Sequence, residues 1–398
     1  MYLTKDEESI LDGDQGEMLS KLMKFVVELG DSFGAEKLIE IVSCHTVLNI
    51  GLSFCRAAAD VLHRMAEAGL KVKVPTTADP IPDMDYAKEL ASVYSLFELH
   101  DQMMEDLSKM GVQGFTCTPY YIENKPHFGE HCAWSESSAV IYLNSVLGAR
   151  SNREGGILDL ACGILKKTPY HGLHITENRK GQMLFKLSSD IDTNNLFNLT
   201  SIGLRIGETA GNKIPVVEGL DNITFDQLKN LGSASASTGA VALIHVPGVT
   251  PEATSLQDAF QNDKPEEVVE LEMKDLKDMR EKYSTEWQLP PKNISIGCPQ
   301  LSKEETIDVI KKLEGKKVLE DFNFWICTNN VVKDFIVNSE YKKILDSSGA
   351  KLTTICPTYI PPPKPTTTNS AKSCFYSPAT YRDMDECIRI ATEGWKNE

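Results

Sequence analysis

The sequence predicts an α/β fold in which parallel strands alternate with helices, and the last third of the chain carries this pattern most clearly. Three short runs rich in β-branched and aromatic residues begin at Asn293, Phe322 and Lys351. Amphipathic stretches that start near Ser302 and Val331 separate these runs. Strands that alternate with helices form parallel sheets, and ligands of such sheets bind beyond the carboxyl ends of the strands. The sequence therefore predicts a sheet with a functional edge in this region.

Local signals support the elements around these strands. Ser302 followed by Glu305 is a capping-box pattern and predicts the start of a helix, and a second helix is predicted over 331–337. The proline-rich run 361–369 predicts an extended, semi-rigid linker. A final helix is predicted from a cap near Thr380. Together these elements define a predicted C-terminal β/α domain.

The first residues predict helices. Thr4 followed by Glu7 is another capping-box pattern, and apolar residues then recur at helical spacing. Further amphipathic stretches run over 18–29 and 54–68. These three stretches predict an N-terminal helical segment that covers residues 1–70.

The centre of the chain mixes predicted strands and helices. The alternating run 70–75 reads as a strand followed by a polar loop, and 241–246 reads as another short strand. We therefore predict a central α/β region over 71–285, followed by the C-terminal β/α domain over 286–398.

Composition limits the classes of partner. The chain has 398 residues, 57 acidic against 41 basic, and a formal net charge of -16. So acidic a protein is not expected to bind nucleic acid or anionic membranes. No apolar run approaches the roughly 20 residues needed to span a bilayer, and the acidic first residues do not resemble a secretory signal. Ten cysteines are too few for a disulfide scaffold, so a cytoplasmic location is expected.

Three cysteines share an unusual context. Cys117, Cys298 and Cys356 each follow a β-rich run, and each has a proline one or two residues later. Three thiolates at three strand ends could hold an iron–sulfur cluster by three corners and leave one iron open as a Lewis acid. Cys327 competes for this role because it also ends a predicted strand. The alternative is that some of these thiols simply pack in the core.

A polar run from Glu130 to Ser138 precedes an apolar stretch. Glu130, His131 and Glu136 could donate protons or orient other groups. The same pattern is typical of an ordinary helix N-terminus with serine and glutamate caps. Spacing does not decide between these two interpretations.

Possible anion contacts occur at three places. Arg150 and Arg153 would face the same way on a helical turn and form a fork for a carboxylate or phosphate. The small-residue segment 232–239 reads as a loop whose N–H groups could bind an anion. Lys372 follows the proline run and by itself reads as a surface lysine. Surface arginines and a flexible loop remain the alternatives.

Several motifs in fixed order resemble the large subunit of the aconitase X family. They are Gly-Phe-Thr-Cys-Thr-Pro-Tyr, Gly-Glu-His-Cys-Ala-Trp-Ser-Glu-Ser-Ser-Ala, Asn-Ser-Val-Leu-Gly-Ala-Arg-Ser-Asn-Arg-Glu-Gly-Gly, Ile-Gly-Cys-Pro and Thr-Asn-Ser-Ala-Lys. The resemblance spans nearly the whole chain. It implies a multi-domain, aconitase-like α/β fold with parallel or mixed sheets flanked by helices and without the swivel domain. It also implies a 4Fe–4S cluster held by Cys117, Cys298 and Cys356.

The resemblance implies a hydro-lyase with one of two substrates. The archaeal two-subunit branch of the family dehydrates 5-phosphomevalonate in a modified mevalonate pathway, and another branch dehydrates cis-3-hydroxyproline. Because no fused swivel domain follows Lys372, a separate small subunit that supplies a catalytic serine base is expected. The alternative hypothesis, from a different functional class, is an iron–sulfur scaffold protein that catalyses no reaction.

The resemblance also suggests roles for individual residues around a small anionic hydroxy acid. Proton donors to the departing hydroxyl would come from Glu136, His131 and His45. The expected substrate-binding residues are Arg150, Arg153, Ser151, Asn152, Lys372, Ser373, Thr76, Thr77, Ser235 and Ser237.

Overall fold

The computed structural model describes residues 1–48, 52–80, 94–358 and 364–396, and these form an α/β protein with predominantly parallel sheets. Three parallel sheets have the strand orders β4-β3-β2-β5, β8-β7-β9 and β12-β11-β10-β13-β14, and β1 pairs with β6 antiparallel. The strands are β1 Leu38–Glu40, β2 Ser43–Thr46, β3 Thr76–Ala78, β4 Gly114–Phe115, β5 Cys132–Trp134, β6 Lys167–Pro169, β7 Met183–Leu187, β8 Pro215–Glu218, β9 Glu267–Leu271, β10 Asn293–Leu301, β11 Asn323–Thr328, β12 Lys351–Thr353, β13 Thr366–Thr368 and β14 Thr380–Tyr381.

Helices cover the faces of these sheets. They are α1 Lys5–Asp12, α2 Glu17–Ser32, α3 Leu52–Glu67, α4 Tyr94–Lys109, α5 Ser137–Tyr142, α6 Gly156–Leu165, α7 Leu196–Ala210, α8 Phe225–Thr238, α9 Leu256–Ala259, α10 Met273–Tyr283, α11 Lys303–Lys312, α12 Asn330–Val337, α13 Tyr341–Ser348, α14 Ala371–Tyr376 and α15 Met384–Glu393. Among the described residues, no helix combines the length and the apolar character that a membrane crossing requires.

The N-terminal helices form as predicted. Thr4 and Glu7 make both hydrogen bonds of the capping box at the start of α1, and α2 and α3 cover the other two predicted stretches. One hydrophobic cluster combines residues of these helices with residues as far along the chain as Leu165. This core crosses the boundary predicted between residues 70 and 71, and the division into domains remains a prediction.

The strand predicted over 70–75 is wrong. The N–H groups of Val72 and Lys73 donate to the carbonyls of Met110 and Gly163, which lie outside any strand. The strand instead begins at Thr76, where a polar loop was expected. Alternation predicts which residues are buried, but it does not supply a neighbouring strand with which to pair.

The segment 232–239 is not an anion-binding loop, because residues up to Thr238 belong to helix α8. Its small residues allow α7 to pack closely against α8. A Cβ atom added at Gly203 of α7 would lie 2.3 Å from the carbonyl oxygen of Leu231. The backbone N–H groups of this segment are engaged within the helix, so they are not available to an anion.

The C-terminal sheet confirms the predicted β/α alternation. Strands β10, β11 and β12 are parallel neighbours, and Ser302 and Glu305 form the complete capping box of α11. Two details differ. Residues 366–368, predicted as linker, form the strand β13 beside β10, and the last helix is capped by Asp383 instead of Thr380. Residues 361–363 of the predicted linker lie outside the described residues.

The strand predicted over 241–246 reduces to a single bridge. His245 pairs with Val216 of β8, whereas the N–H groups of Ile244 and Val246 donate to side-chain hydroxyls. The side chains of this segment are still largely buried, which explains the apolar pattern.

Candidate active site

The three predicted cysteines come together from two sheets. Cys117 follows β4, Cys356 follows β12, and Cys298 lies in β10 beyond Ile296, where regular pairing with β11 is interrupted. All three side chains are buried. The thiols of Cys298 and Cys356 are hydrogen-bonded, and the charge of Cys298 acts on Cys117.

Among the three thiols of this sulfur cluster, that of Cys298 has a lowered pKa, whereas those of Cys117 and Cys356 have raised pKa values. The hydrogen bond with Cys356 lowers the pKa of Cys298 to about 6 against the opposing effect of burial, with help from Lys372 and Thr358. The same hydrogen bond, together with burial, raises the pKa of Cys356, and burial raises that of Cys117. A low-pKa cysteine beside a cationic side chain is the type of sulfur that binds metals.

The donor set fits an iron–sulfur cluster in kind. Three sulfurs with an adjacent ammonium group match the cysteine thiolate ligands that such clusters use. Over the described ranges, no group of three or more histidine, cysteine, aspartate or glutamate side chains is already arranged as a metal site. Cys327 lies within β11, where it pairs with Thr353.

A cavity of ≈ 530 Å³ reaches from the sulfur cluster to the start of helix α6. It is lined by Val47, Ser135, Glu136, Ser137, Arg153, Glu154, Gly155, Gly156, Ala240, Cys356, Thr358, Lys372 and Tyr376. Two cationic side chains, two carboxylates and one thiol thus border one space. Such a mixture suits a small, charged substrate better than an apolar one.

Lys372 is part of this wall and is not the surface residue that its sequence context suggested. Its Nζ donates to the Glu136 carboxylate and to the hydroxyls of Ser137 and Ser138, the latter two at 3.0 and 2.8 Å. Burial works to lower the pKa of Lys372, but Glu136 and the nearby cysteine sulfurs outweigh it and raise the pKa. Lys372 is therefore an ammonium ion held at the cavity.

Glu136 caps a helix and also binds Lys372. One carboxylate oxygen accepts from the N–H of Ala139 at 2.6 Å and caps α5, and the other accepts from Lys372. Burial works to raise the pKa of Glu136, but Lys372 and these hydrogen bonds outweigh it, so the pKa is lowered. The carboxylate is ionised and accepts hydrogen bonds, which argues against Glu136 as the resting proton donor.

The two arginines do not form a fork. Residues 151–155 are irregular and contain no helical turn, so Arg150 and Arg153 diverge. Arg153 lines the cavity and donates to the Gly239 carbonyl at 3.1 Å. Arg150 donates to the His174 carbonyl and the Thr176 hydroxyl, both at 2.9 Å, and does not line the cavity.

Neither predicted histidine lines the cavity. His131 lies beside Arg150, and its Nδ1 is 3.1 Å from Nδ1 of His174. His45 is buried under Trp134, with its Nδ1 2.9 Å from the Thr77 hydroxyl and its Nε2 3.5 Å from an Asp79 carboxylate oxygen. These contacts assign both histidines to the surrounding structure.

The other predicted polar residues mostly bond to the protein itself. Ser235 and Ser237 donate to carbonyls of their own helix, and Ser151 donates its hydroxyl to backbone carbonyls. Asn152 bonds to His171, Leu173 and Glu154; Thr76 donates to Val74; and Thr77 contacts His45 and Asn124. Ser373 stays close to the site, because its hydroxyl is one of the groups that lower the pKa of Cys298.

One charged residue of the cavity, Glu154, was not predicted from the sequence. Glu154 lies between Arg153 and the glycines that start α6, and its carboxylate is 2.9 Å from Nε2 of His171. Its position next to Arg153 was the available signal. A carboxylate beside two glycines at a helix start reads as an ordinary first-turn acid, so the signal was weak.

Sequence comparison identifies the family. Models of the first, second and third domains of aconitase X match residues 1–177, 181–281 and 291–393. The chain belongs to the aconitase X family. The resemblance drawn from the motifs is thereby confirmed.

Named relatives agree. The chain is 37% identical to the phosphomevalonate dehydratase large subunit of Methanocaldococcus jannaschii, over 98% of this chain and 100% of that protein. It is 29% identical to the cis-3-hydroxy-L-proline dehydratase of Hypocrea jecorina, over 99% of this chain and 69% of that protein. Both relatives are dehydratases, which confirms the predicted hydro-lyase class. The first name, a large subunit, implies a small partner subunit for that protein.

A solved structure confirms the fold. The aconitase X of Thermococcus kodakaraensis, solved in a holo-form, superimposes with a TM-score of 0.87 at 35% identity. The match covers 98% of this chain and 100% of that one. The predicted aconitase-like α/β architecture is therefore correct.

Proposed function

We propose that this chain is the large subunit of an iron–sulfur hydro-lyase that dehydrates (R)-5-phosphomevalonate to trans-anhydromevalonate 5-phosphate, a step of a modified mevalonate pathway. The observation that carries the proposal is the single cavity that joins Cys356 to Lys372 and Arg153. The identity to relatives named phosphomevalonate dehydratase large subunit supports this substrate over the more distant hydroxyproline relatives.

The sulfur cluster of Cys117, Cys298 and Cys356 would hold a 4Fe–4S centre by three corners. When bound, such a centre would supply a Lewis acid that makes hydroxide a better leaving group. The Lys372 ammonium helps to lower the pKa of Cys298 and so favours the deprotonated sulfur that ligates a metal.

The anionic end of the substrate would meet Arg153 and the start of α6. In the described chain Arg153 forms no ion pair with a carboxylate, and its hydrogen bond goes to a neutral carbonyl. Gly155 caps α6 without a side-chain hydrogen bond, and Gly155 and Gly156 line the cavity. A guanidinium group beside a helix N-terminus is a favourable position for a carboxylate or phosphate.

Lys372 would handle the charge and the proton at the reacting end. Dehydration breaks a C–H bond next to the carboxylate and a C–O bond at the 3-position, and it forms a double bond and water. The Lys372 ammonium, with Glu136 as its fixed partner, would stabilise charge that develops on the substrate and supply a proton to the departing hydroxide. The base that removes the C–H proton would be a serine of a separate small swivel-domain subunit.

The test uses anaerobically reconstituted protein, with and without the separately produced small subunit. We expect (R)-5-phosphomevalonate to lose water only when both subunits are present. NMR spectroscopy of the product measures this reaction. Unphosphorylated mevalonate and cis-3-hydroxy-L-proline serve as comparison substrates. If the complex converts only cis-3-hydroxy-L-proline, the proposed substrate is wrong. If the reconstituted complex converts none of these compounds, the hypothesis of a non-catalytic iron–sulfur scaffold protein is favoured.

A further inference from the structure

Gln300 touches all three cysteine-bearing segments. It lies two residues after Cys298 on β10 and is buried. Its side-chain oxygen accepts from the Thr116 hydroxyl at 2.6 Å and from the N–H of Cys117 at 3.2 Å. Its side-chain nitrogen donates to the Thr354 carbonyl at 2.7 Å, two residues before Cys356. One amide thus links β10 to the segments that directly follow β4 and β12, which belong to two separate sheets.

The orientation of this amide is determined by its partners. A backbone N–H can only donate and a backbone carbonyl can only accept, so the oxygen must face Cys117 and the nitrogen must face Thr354. Thr116 strengthens the arrangement, because its hydroxyl donates to Gln300 while accepting from the N–H of Thr118 at 3.0 Å. The contacts leave no alternative pairing of similar quality.

The backbone of Gln300 is also held. Its carbonyl accepts from Nζ of Lys229 at 3.2 Å, and Lys229 is a fully buried cation of helix α8 that is paired with Glu305. The side chain therefore starts from a fixed point. Rigid support of this kind sets the positions of neighbouring ligands more accurately than contacts from a mobile side chain.

We propose that Gln300 is a positioning residue that sets the spacing of the Cys117, Cys298 and Cys356 thiols, and so preorganises them for an iron–sulfur centre. The cluster part of this inference rests on the proposed function. The spacing itself is a property of the polypeptide. Gln300 touches no reacting atom and acts only through the two backbone segments that it holds.

The main variant is Gln300→Met, which keeps the approximate volume and removes both polar ends of the side chain. Outer-shell partners of metal ligands typically change metal affinity by about 10–100-fold. We therefore expect Gln300→Met to lose its cluster to a chelator faster than the wild type by about that factor. Visible absorption and the iron and sulfide content measure this loss. Gln257→Met is the matched control, because Gln257 is exposed and its side-chain amide donates to Asn262.

A second readout does not depend on iron. Full-length protein purified without reconstitution is alkylated with iodoacetamide, and the modification rate of each cysteine is measured by mass spectrometry. We expect Gln300→Met to increase the rates at Cys117 and Cys356, and the milder Thr116→Val to increase mainly the rate at Cys117. Thermal unfolding of each variant checks that the fold is retained.

The outcomes separate the two proposals. If the wild type binds no iron but the alkylation pattern changes as expected, the iron–sulfur proposal fails while the spacing role of Gln300 stands. If the wild type binds its cluster and both variants retain it as firmly, with unchanged alkylation rates, the spacing role is wrong. If Gln300→Met fails to fold, the pattern of Thr116→Val decides, because that variant removes one hydroxyl and leaves the amide in place.

Discussion

The segment from Arg150 to Glu154 separates two groups of charged side chains. On the cavity side, Arg153 and Glu154 line the same cavity as Lys372. On the other side, called the histidine side here, Arg150 lies beside His131 and His174. Both sides draw on the same short motif, and both contain residues that chemistry alone would place in an active site.

The two sides differ in what their charges meet. Arg150 donates to a backbone carbonyl and a threonine hydroxyl of the protein, and the histidine rings contact each other. Arg153 has one neutral backbone acceptor and borders an open volume of ≈ 530 Å³. A cation that bonds to protein groups away from the cavity contributes to stability, whereas a cation that borders the cavity can contact a ligand. Residue type and spacing do not reveal this difference.

The largest expected effect comes from Lys372 on the cavity side. Lys372→Met removes the ammonium group from the cavity and leaves Glu136 without the cation that lowers its pKa. Loss of one preorganised electrostatic contact typically lowers kcat by about 10²–10³-fold, and we expect a fall of that size. Steady-state kinetics of the two-subunit complex measure it, with Lys180→Met, which alters only a surface ion pair with Asp263, as the control. Wild-type turnover in Lys372→Met would contradict the assignment.

The arginine pair gives the next effect and compares the two sides directly. Arg153→Gln should raise KM or lower kcat/KM by about 10–100-fold, because a hydrogen bond to a charged group contributes about 1.5–3 kcal/mol. Arg150→Gln should leave kcat/KM nearly unchanged and lower the free energy of unfolding by about 1–3 kcal/mol, since the His174 carbonyl and Thr176 lose their donor. Urea unfolding and kinetics on both variants provide the measurements. If Arg150→Gln lowered kcat/KM and Arg153→Gln lowered only the free energy of unfolding, the roles assigned to the two sides would be wrong.

Local signals predicted part of this structure well. The capping boxes of α1 and α11 and the alternation of the C-terminal sheet depend on neighbours in sequence, and all of them form. Parallel strand ends also predicted that Cys298, Cys327 and Cys356 would lie along one sheet, and their strands β10, β11 and β12 are neighbours in it. The sequence context and the family resemblance both grouped Cys117 with Cys298 and Cys356, but neither predicted that Cys117 would come from another sheet.

Long-range packing decided what local signals could not predict. The small residues at 232–239 suggested a loop, but they lie in a helix and allow it to pack closely against Gly203 of the neighbouring helix. The direction of Arg150 depends on the His174 carbonyl, 24 residues away, and the role of Gln300 depends on Thr116, 184 residues away. Lys372 reads as a surface residue because its partner Glu136 lies 236 residues earlier in the chain.

The smallest expected effect lies on the histidine side and concerns pH. Burial, together with the charges of His131, His171, Arg179 and Arg150, lowers the pKa of His174 well below 6.5. The folded state therefore holds His174 neutral, and protonation at acid pH favours the unfolded chain. The stability contribution is complete above about pH 6.5 and is lost below it, by at most about 1.4 kcal/mol per pH unit for one group.

Replacing His174 by asparagine removes that titration, so the free energy of unfolding of His174→Asn should fall less steeply than that of the wild type between about pH 7 and pH 5. Urea unfolding at several pH values measures both slopes, and His127→Asn, at an exposed histidine, is the control that should keep the wild-type slope. Parallel slopes for His174→Asn and the wild type would mean that the histidine side does not hold a neutral imidazole. In that event the contrast between a ligand-binding side and a stabilising side would rest on the arginines alone.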